Sequence, residues 1–405
     1  MRLGSDGFFD LTYCTNIHPS TGWEDVLANV RRYALPLKAR FAPDAPFAVG
    51  LRLSGAESRE LLEDDRLASF KEFLDEHGLY VATMNAFPYG PFHNQVVKEH
   101  VHSPDWRDEE RVAYTLRMVE ILSALLPAGM EGGISTSPLS YKTWVDPNDE
   151  ATWDLFIDHL LLVAAALSRL RDERGQVIHL DIEPEPDGVL GTCGELADFY
   201  ERRLLPQGAP KLAAVLGIDV AEARARLLEH LRVCFDACHV AVGYEDPAAV
   251  LDRFAALGIG VGKVQVSSAL KVDLSDETID PAAREATART LATFADAVYL
   301  HQVLQRDGDG DIVGFPDLPD ALPSIDAVQA AEWRVHFHVP VFVDRYATFA
   351  STQDELRRVL ALTRERRMTP QLEIETYTWD VLPPELKVNL LESIEREYAW
   401  ALDVF

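Results

Sequence analysis

The strand-like segments of this chain share a polarity pattern that excludes most ways of folding it. In Val177-Ile-His-Leu-Asp-Ile-Glu183, the side chains of Ile178, Leu180 and Ile182 share one face, and His179, Asp181 and Glu183 share the other. The same alternation opposes Leu372 and Ile374 to Glu373, Glu375 and Tyr377, and Val264 and Val266 to Lys263, Gln265 and Ser267. It also opposes Val233 and Phe235 to Cys234 and Asp236, and Leu51 and Leu53 to Arg52 and Ser54. A parallel sheet covered by helices on both sides reads as nearly continuous hydrophobes. A polar face that recurs strand after strand, densest towards the C-terminal ends, predicts a closed barrel instead. Its outside packs on helices and its inside opens into a polar mouth.

The order of segments agrees with a (β/α)8 TIM barrel. Strands are predicted at Leu11–Asn16, Ala48–Ser54, Tyr80–Ala86, Gly133–Ser137, Val177–Glu183, Val233–Asp236, Lys263–Ser267 and Leu372–Tyr377, with helical periodicity between them and a last helix over 383–401. The long helical stretch 194–231 is expected to break near Pro206–Pro210. Capping boxes are expected at Thr21 with Glu24 and at Thr352 with Glu355, and Asp-before-Pro caps at Asp246 and Asp280. Residues 271–350 exceed a minimal barrel. They are read as an insertion between strands seven and eight, with a helix over 281–296 and a hairpin of Val298–Leu304 and Val335–Val343 near the barrel mouth. The run Arg306-Asp-Gly-Asp-Gly-Asp311 resembles the start of a calcium loop, but the twelfth position from Asp307 is Leu318 rather than a bidentate Glu, so a turn is expected. All 405 residues then form a single domain.

A net charge of -28 argues against binding phosphate backbones, and hence nucleic acid, and against docking on anionic membranes. Four cysteines, Cys14, Cys193, Cys234 and Cys238, are too few for a disulfide scaffold. With no apolar leader and no run of about 18 apolar residues, a cytoplasmic location and no membrane insertion are expected.

Carboxylates facing inwards at strand ends are costly unless they meet a cation. Glu183 ends the fifth strand and is followed at once by Pro184; Asp236 ends the sixth, Gln265 lies on the seventh, and Glu375 ends the eighth. Any one of them alone could be a salt bridge or a strand cap. Together on one rim they suit a divalent ion such as Mn, Mg, Co or Zn. His239, three residues past Asp236, could bind metal or orient a substrate hydroxyl. His336, His338 and His301 could complete a ligand shell or pair across strands. His18, Asn85, Tyr89, His93 and Lys142 are further inward or rim candidates for substrate contact, and Asn16–Pro19 and Phe87–His93, which follow strands one and three, belong to the catalytic-face loops, where aromatics could close over a polyol.

At these residues the sequence resembles the xylose-isomerase-like TIM barrels, a superfamily that includes sugar isomerases, ketose 3-epimerases, inosose dehydratases and endonuclease IV. The resemblance is carried by Leu180-Asp-Ile-Glu-Pro-Glu185, Cys234-Phe-Asp-Ala-Cys-His239 and Leu372-Glu-Ile-Glu-Thr376. It implies that Glu183, Asp236 and Glu375 are metal ligands and His239 a substrate contact. Where the superfamily has a histidine ligand on the seventh strand, this chain has Gln265, and His338 is the substitute candidate. More narrowly, Thr12-Tyr-Cys-Thr-Asn-Ile-His-Pro19, Asn85-Ala-Phe-Pro-Tyr-Gly90 and Glu375-Thr-Tyr-Thr-Trp-Asp380 resemble EboE-type metabolite traffic proteins. That implies a role in making or exporting a secondary metabolite, with other proteins of the same pathway as partners.

The expectation is a metal-dependent isomerase, epimerase or lyase acting on a small polyhydroxylated or carbonyl metabolite, in which Glu183 and Glu375 move the proton. A non-catalytic metabolite-binding or escort protein is the alternative. An endonuclease IV-like phosphodiesterase is a third, disfavoured by the charge.

Overall fold

The structure is a computed structural model that describes residues 1–4, 7–93, 96–274, 281–325, 330–346, 348–380, 382, 387 and 389–405. Eight parallel barrel strands run Phe9–Tyr13, Phe47–Arg52, Leu79–Asn85, Gly132–Thr136, Ile178–Ile182, Leu231–Asp236, Val261–Val266 and Gln371–Ile374. Neighbours in sequence are neighbours in the sheet, and the eighth strand pairs with the first. The seam between the first and second strands is closed by the single parallel bridge Cys14–Gly50. An antiparallel flap, Arg2–Leu3, extends the first strand. The (β/α)8 barrel expected from the alternation is therefore the fold.

Outward residues such as Leu51, Ile134, Leu180, Val233 and Val264 are fully buried beneath the helical shell. Among the described residues, Glu150–Arg174 is the one helix with the length and apolar composition of a membrane span, and 56% of its apolar window is buried within the protein. Helix ends follow local chemistry. Asp246 caps Pro247–Leu257 as expected, and Ser54 with Glu57 forms a full capping box. The two expected boxes are absent. Thr21 bonds Asp25 instead, and the Thr352 hydroxyl accepts from Ala269 N–H across the chain. Asp280 lies outside the described residues. The stretch after Cys193 does not break at Pro206. A wide π segment, Tyr200–Gly208, absorbs the missing N–H, and the helix stops only at the left-handed Gly217. The last helix is Leu390–Val404.

The insertion is more than a hairpin. It is a five-stranded antiparallel sheet in the order Ile312–Phe315, Val303–Asp307, Ala330–Val335, Leu270–Asp273 and Ala350–Ser351. The expected runs Val298–Leu304 and Val335–Val343 are strand only where they touch this sheet, at 303–304 and 335. Their remaining residues are bends, turns and unpaired chain, whose buried apolar positions alternation alone does not separate from a paired strand. The Asp-Gly repeat is the turn of the Val303–Phe315 hairpin, with Asp307 accepting from Asp309 and Asp311 N–H groups.

Inside the barrel, below the mouth, buried carboxylates are paired with basic side chains. Lys263 Nζ lies 2.6 Å from Glu373 and donates to Ser135 at 3.0 Å, with both ionic side chains fully buried. His179 and Asp181 pair at 2.6 Å. Glycines make the room. A Cβ on Gly50 would sit 1.8 Å from Glu373 Oε2, and one on Gly262 would sit 1.9 Å from Asp181 Oδ1.

Replacing Lys263 by Met is expected to leave Glu373 buried without its partner and to cost about 3–5 kcal/mol. Gly50→Ala, by overpacking the same pair, is expected to cost roughly 1–3 kcal/mol. Urea-unfolding midpoints measure both, and a Lys263→Met protein as stable as the parent would show the pair to be dispensable.

Candidate metal centre at the barrel mouth

Strand direction places the site. All eight barrel strands end on the same side, so the last inward residue of each points to the mouth. Glu183 leaves the fifth strand with its N–H on Thr136 O, and Glu375 leaves the eighth with its N–H on Val266 O. Asp236 ends the sixth strand and at once caps the short helix Ala237–Val242. One carboxylate oxygen from each of Glu183, Asp236 and Glu375 lies within 4.8 Å of the others, all three residues being buried.

Asp236 and Glu375 are each held on one oxygen. Asp236 Oδ1 accepts from His239 N–H at 3.0 Å and from the Ser267 hydroxyl at 2.8 Å, whereas Oδ2 has no hydrogen-bond partner among the described residues. Glu375 Oε1 accepts from Asn16 at 2.8 Å and Asn85 at 3.0 Å. Gln265, in register between Asp236 and Glu373, is fully buried with neither amide atom partnered. His338 Nδ1 donates to the Glu375 carbonyl at 2.8 Å, which places the lone pair on Nε2. That nitrogen is unpartnered and lies 4.0 Å from Asp236 Oδ2.

Burial, then the charge of Asp236, holds the Glu183 carboxyl well above the usual range; burial, then Glu183, does the same to Glu375. Burial also pushes Asp236 upwards, but His239, His338 and the two hydrogen bonds outweigh it, and Asp236 is held low. The imidazoles help only while charged, and burial lowers His239 to about 4. The hydrogen bonds from His239 N–H and Ser267 to Asp236 Oδ1, unlike the imidazole charges, remain at neutral pH.

These residues fit a divalent ion. Three convergent carboxylates, an unpartnered amide and a histidine nitrogen pinned in the ligating tautomer form a mixed oxygen and nitrogen donor set. A buried polar atom left unpaired costs about 1–3 kcal/mol, so four such atoms, Asp236 Oδ2, His338 Nε2 and both amide atoms of Gln265, favour an occupant.

Not every expected contact reaches the mouth. Asn85 does, through Glu375. His18 stacks on Tyr33 at 4.0 Å between ring centroids and bonds Tyr13, where burial lowers it to about 3; it supports the first loop from behind. Tyr89 turns outwards, accepting from Arg59 at 2.7 Å and donating to Glu110 at 2.9 Å. His93 spends Nε2 on the Asn16 carbonyl, fixing the loop that carries Asn16. Lys142 is exposed in a separate surface pocket beside Glu195. Turn geometry after a strand decides which way a loop side chain points, and loop membership alone does not reveal it.

The mouth also contains residues that sequence reasoning passed over. Glu185, His102, Gln302 and Tyr299 are among them, and they line the cavity together with Asn16, Phe87 and Phe92 of the loops after strands one and three and with Tyr377. For Glu185 the doubled Glu-Pro of 183–186 was a usable signal. His102 and Gln302 are brought in by long loops and had none.

No protein-family profile matches this chain, and neither does any curated protein. Solved structures similar to it include the IOLI protein with a bound zinc atom, at 13% identity and TM-score 0.45 over 98% of both chains. Another is the probable 3-DHS dehydratase AsbF involved in petrobactin synthesis from Bacillus anthracis, at 10% identity and TM-score 0.43 over 97% of this chain and 98% of that one. At such scores the likeness adds nothing to the strand order described above. What fold and site define together is a (β/α)8 barrel with a carboxylate and imidazole cluster at its mouth.

Glu183 and Glu375 bind protons more tightly in the folded chain than in the unfolded one, where the ordinary value is 4.5. The stability this brings is complete below that value and is lost as pH rises through the raised folded values. Metal-free protein is therefore expected to melt lower at pH 8 than at pH 6, with a smaller drop in Glu183→Gln. Added divalent ion should raise Tm more at pH 8, since it competes with those protons. Differential scanning fluorimetry across this range checks the sign.

Proposed function

We propose that this protein is a divalent-metal-dependent isomerase, epimerase or related lyase for a small polyhydroxylated carbonyl compound. The observation that carries the reading is the convergence of Glu183, Asp236 and Glu375 within 4.8 Å beside the unsatisfied Gln265 and His338. Those five residues would hold the ion, which when bound polarises a carbonyl and its neighbouring hydroxyl.

The chain itself supplies the rest. Asn16 and Asn85 tie down Glu375 Oε1, so Oε2 is the atom free to take a proton from the carbon next to the carbonyl. Glu183, whose carboxyl is held high by burial, is suited to return a proton at the neighbouring carbon. Phe92, Tyr299 and Tyr377 stack edge to face and tilted at 5.1–5.2 Å between ring centroids. They present an apolar wall that excludes water and can pack on the C–H face of a polyol. His239, expected to orient a hydroxyl, points Nε2 at His336 rather than at open space.

A place in a secondary-metabolite pathway, in the cytoplasm and alongside other proteins of that pathway, follows from the EboE-type resemblance and belongs to this proposal. An escort protein that binds the same metabolite without turnover is the second reading. It is favoured by Gln265, a neutral amide that is a weaker ligand than the expected histidine. Phosphodiester hydrolysis is opposed by the charge of -28.

Protein purified without chelator is expected to carry divalent metal by inductively coupled plasma mass spectrometry. With a panel of ketoses and cyclic keto-polyols it should exchange solvent deuterium into the carbon next to the carbonyl, read by NMR. Glu183→Gln and Glu375→Gln should each slow that exchange about 10²-fold or more. Ligand-induced stabilisation without exchange would select the escort reading. Metal-free protein whose two variants behave like the parent would end both.

A further inference from the structure

One carboxylate at the mouth is left over once the carboxylate centre is built. Glu185 lines the cavity two residues past Glu183 and is not among the three whose oxygens converge. Its side chain is 13% exposed, and its buried Oε2 has no hydrogen-bond partner. The one ion-pair partner within reach among the described residues is His102, at 3.6 Å. Burial, then the charge of Arg111, lowers that imidazole to about 3, so at neutral pH it brings no charge. Burial and the charge of Asp236 both work against an ionised Glu185, and a cation placed beside it offsets that cost. Lys98 is the single lysine or arginine lining the cavity among the described residues, and its Nζ is spent on Asp317 Oδ2 at 2.5 Å.

A second acceptor in the same cavity is unsatisfied. Asn16, 3% exposed, donates from Nδ2 to Glu375 Oε1 at 2.8 Å. A carboxylate partner fixes which end of the amide is which, so Oδ1 is the end left over, buried and without a partner. Asn85 makes the same donation, but its Oδ1 accepts from Phe87 N–H at 3.0 Å. The cavity therefore offers an amide oxygen beside Glu375 and a carboxylate oxygen on Glu185. Both call for hydrogen-bond donors, and the second for a charged one. Aromatic rings border the same space: Tyr377 lies within electrostatic reach of Glu185, and Phe87 packs on His102 at 5.4 Å between ring centroids. Ring faces attract an ammonium group and not an anion.

We infer that the substrate carries an amino group, held as ammonium by Glu185, and no phosphate. Its class is an amino-substituted sugar or cyclitol. The inference rests on the proposed function for the polyhydroxylated framework and adds the charge. The segment Glu183-Pro-Glu-Pro186 then divides its work. Glu183 serves the reacting carbons, Glu185 serves a part of the substrate that does not react, and Pro184, with its fixed φ, holds the two apart. A phosphoryl group would meet four carboxylates and a lysine already neutralised.

Ligand-observed NMR titrations of protein purified without chelator test this with matched trios. One is glucose, 6-amino-6-deoxyglucose and glucose 6-phosphate; the other is scyllo-inositol, scyllo-inosamine and scyllo-inositol phosphate. The amino compound is expected to bind about 10–100-fold tighter than its neutral parent, as a hydrogen bond to a charged group provides, and the phosphate more weakly than either. In Glu185→Gln that preference should vanish, Glu185→Asp should keep part of it, and both variants should retain bound metal by mass spectrometry. Equal or undetectable affinities within both trios, a phosphate that binds best, a preference untouched in Glu185→Gln, or metal lost from Glu185→Gln would each overturn the inference. Solvent-deuterium exchange separates it from the proposed reaction. Exchange as fast with neutral as with amino compounds, at equal affinity, leaves the reaction standing without this inference. An amino preference controlled by Glu185, with no exchange, leaves the inference standing without the reaction. Circular dichroism melts confirm folding, and the parent's own ratios decide should a substitution unfold the chain.

Discussion

Negative charge buried on the inner wall of the barrel is the constraint on which the rest of this structure depends. A carboxylate out of water is tolerable only beside a cation or under several hydrogen-bond donors, and depth in the barrel decides which. Far from solvent the solution is covalently built in: Lys263 neutralises Glu373, His179 accompanies Asp181, and glycines at 50, 133 and 262 give up their side chains so that these pairs fit. At the mouth, where a ligand can enter, no ion pair joins Glu183, Asp236 or Glu375 to a lysine or arginine among the described residues; Lys263 is spent on Glu373 and reaches Glu183 and Glu375 only as a more distant charge. Glu375 takes its hydrogen bonds from Asn16 and Asn85, and Asp236 from Ser267 and a backbone N–H, neutral groups that orient oxygens without cancelling charge. The same type of residue is thus structural at one level of the barrel and available for chemistry at the next.

The insertion changes what the mouth can do. A minimal barrel would present strand ends and short loops. Here a five-stranded sheet leans over the opening, and the chain segments beside its strands bring in Gln302, His336 and His338. Each incoming imidazole has its Nδ1 committed to an oxygen: the Glu375 carbonyl for His338 and Gln302 Oε1 for His336. Rings fixed in this way cannot rotate to satisfy themselves, so their Nε2 lone pairs stay directed inwards. The neutral Gln265 on the seventh strand is offset by nitrogen donors delivered from above rather than from the wall.

The barrel was legible because its signal is local and repeated. Ile178, Leu180 and Ile182 against His179, Asp181 and Glu183 is a period-two pattern that only a sheet with unlike faces can use. The same reading located Glu183, Asp236, Gln265 and Glu375, since an inward residue at a strand end has one place to point. Loops carry no such period. Tyr89 and Lys142 sit after strands as Asn16 does, yet Tyr89 bonds Arg59 and Glu110 outside, and Lys142 is in solvent beside Glu195. The insertion was misread as one hairpin for a related reason: Val339 and Val341 alternate like a strand but bury themselves against the barrel without a partner strand.

From its residues alone this chain is committed to a closed parallel barrel with acidic strand ends, because alternation and parallel connection leave its polar face nowhere else to go. Which oxygens meet, which histidine nitrogen is bare and which loop side chains turn away were decided only in three dimensions. Those outcomes depend on contacts between residues far apart in the chain, such as His338 with Glu375 and Gln302 with Pro186. A hydrogen bond between distant segments selects the tautomer of the ring it holds, and no spacing along the sequence encodes it.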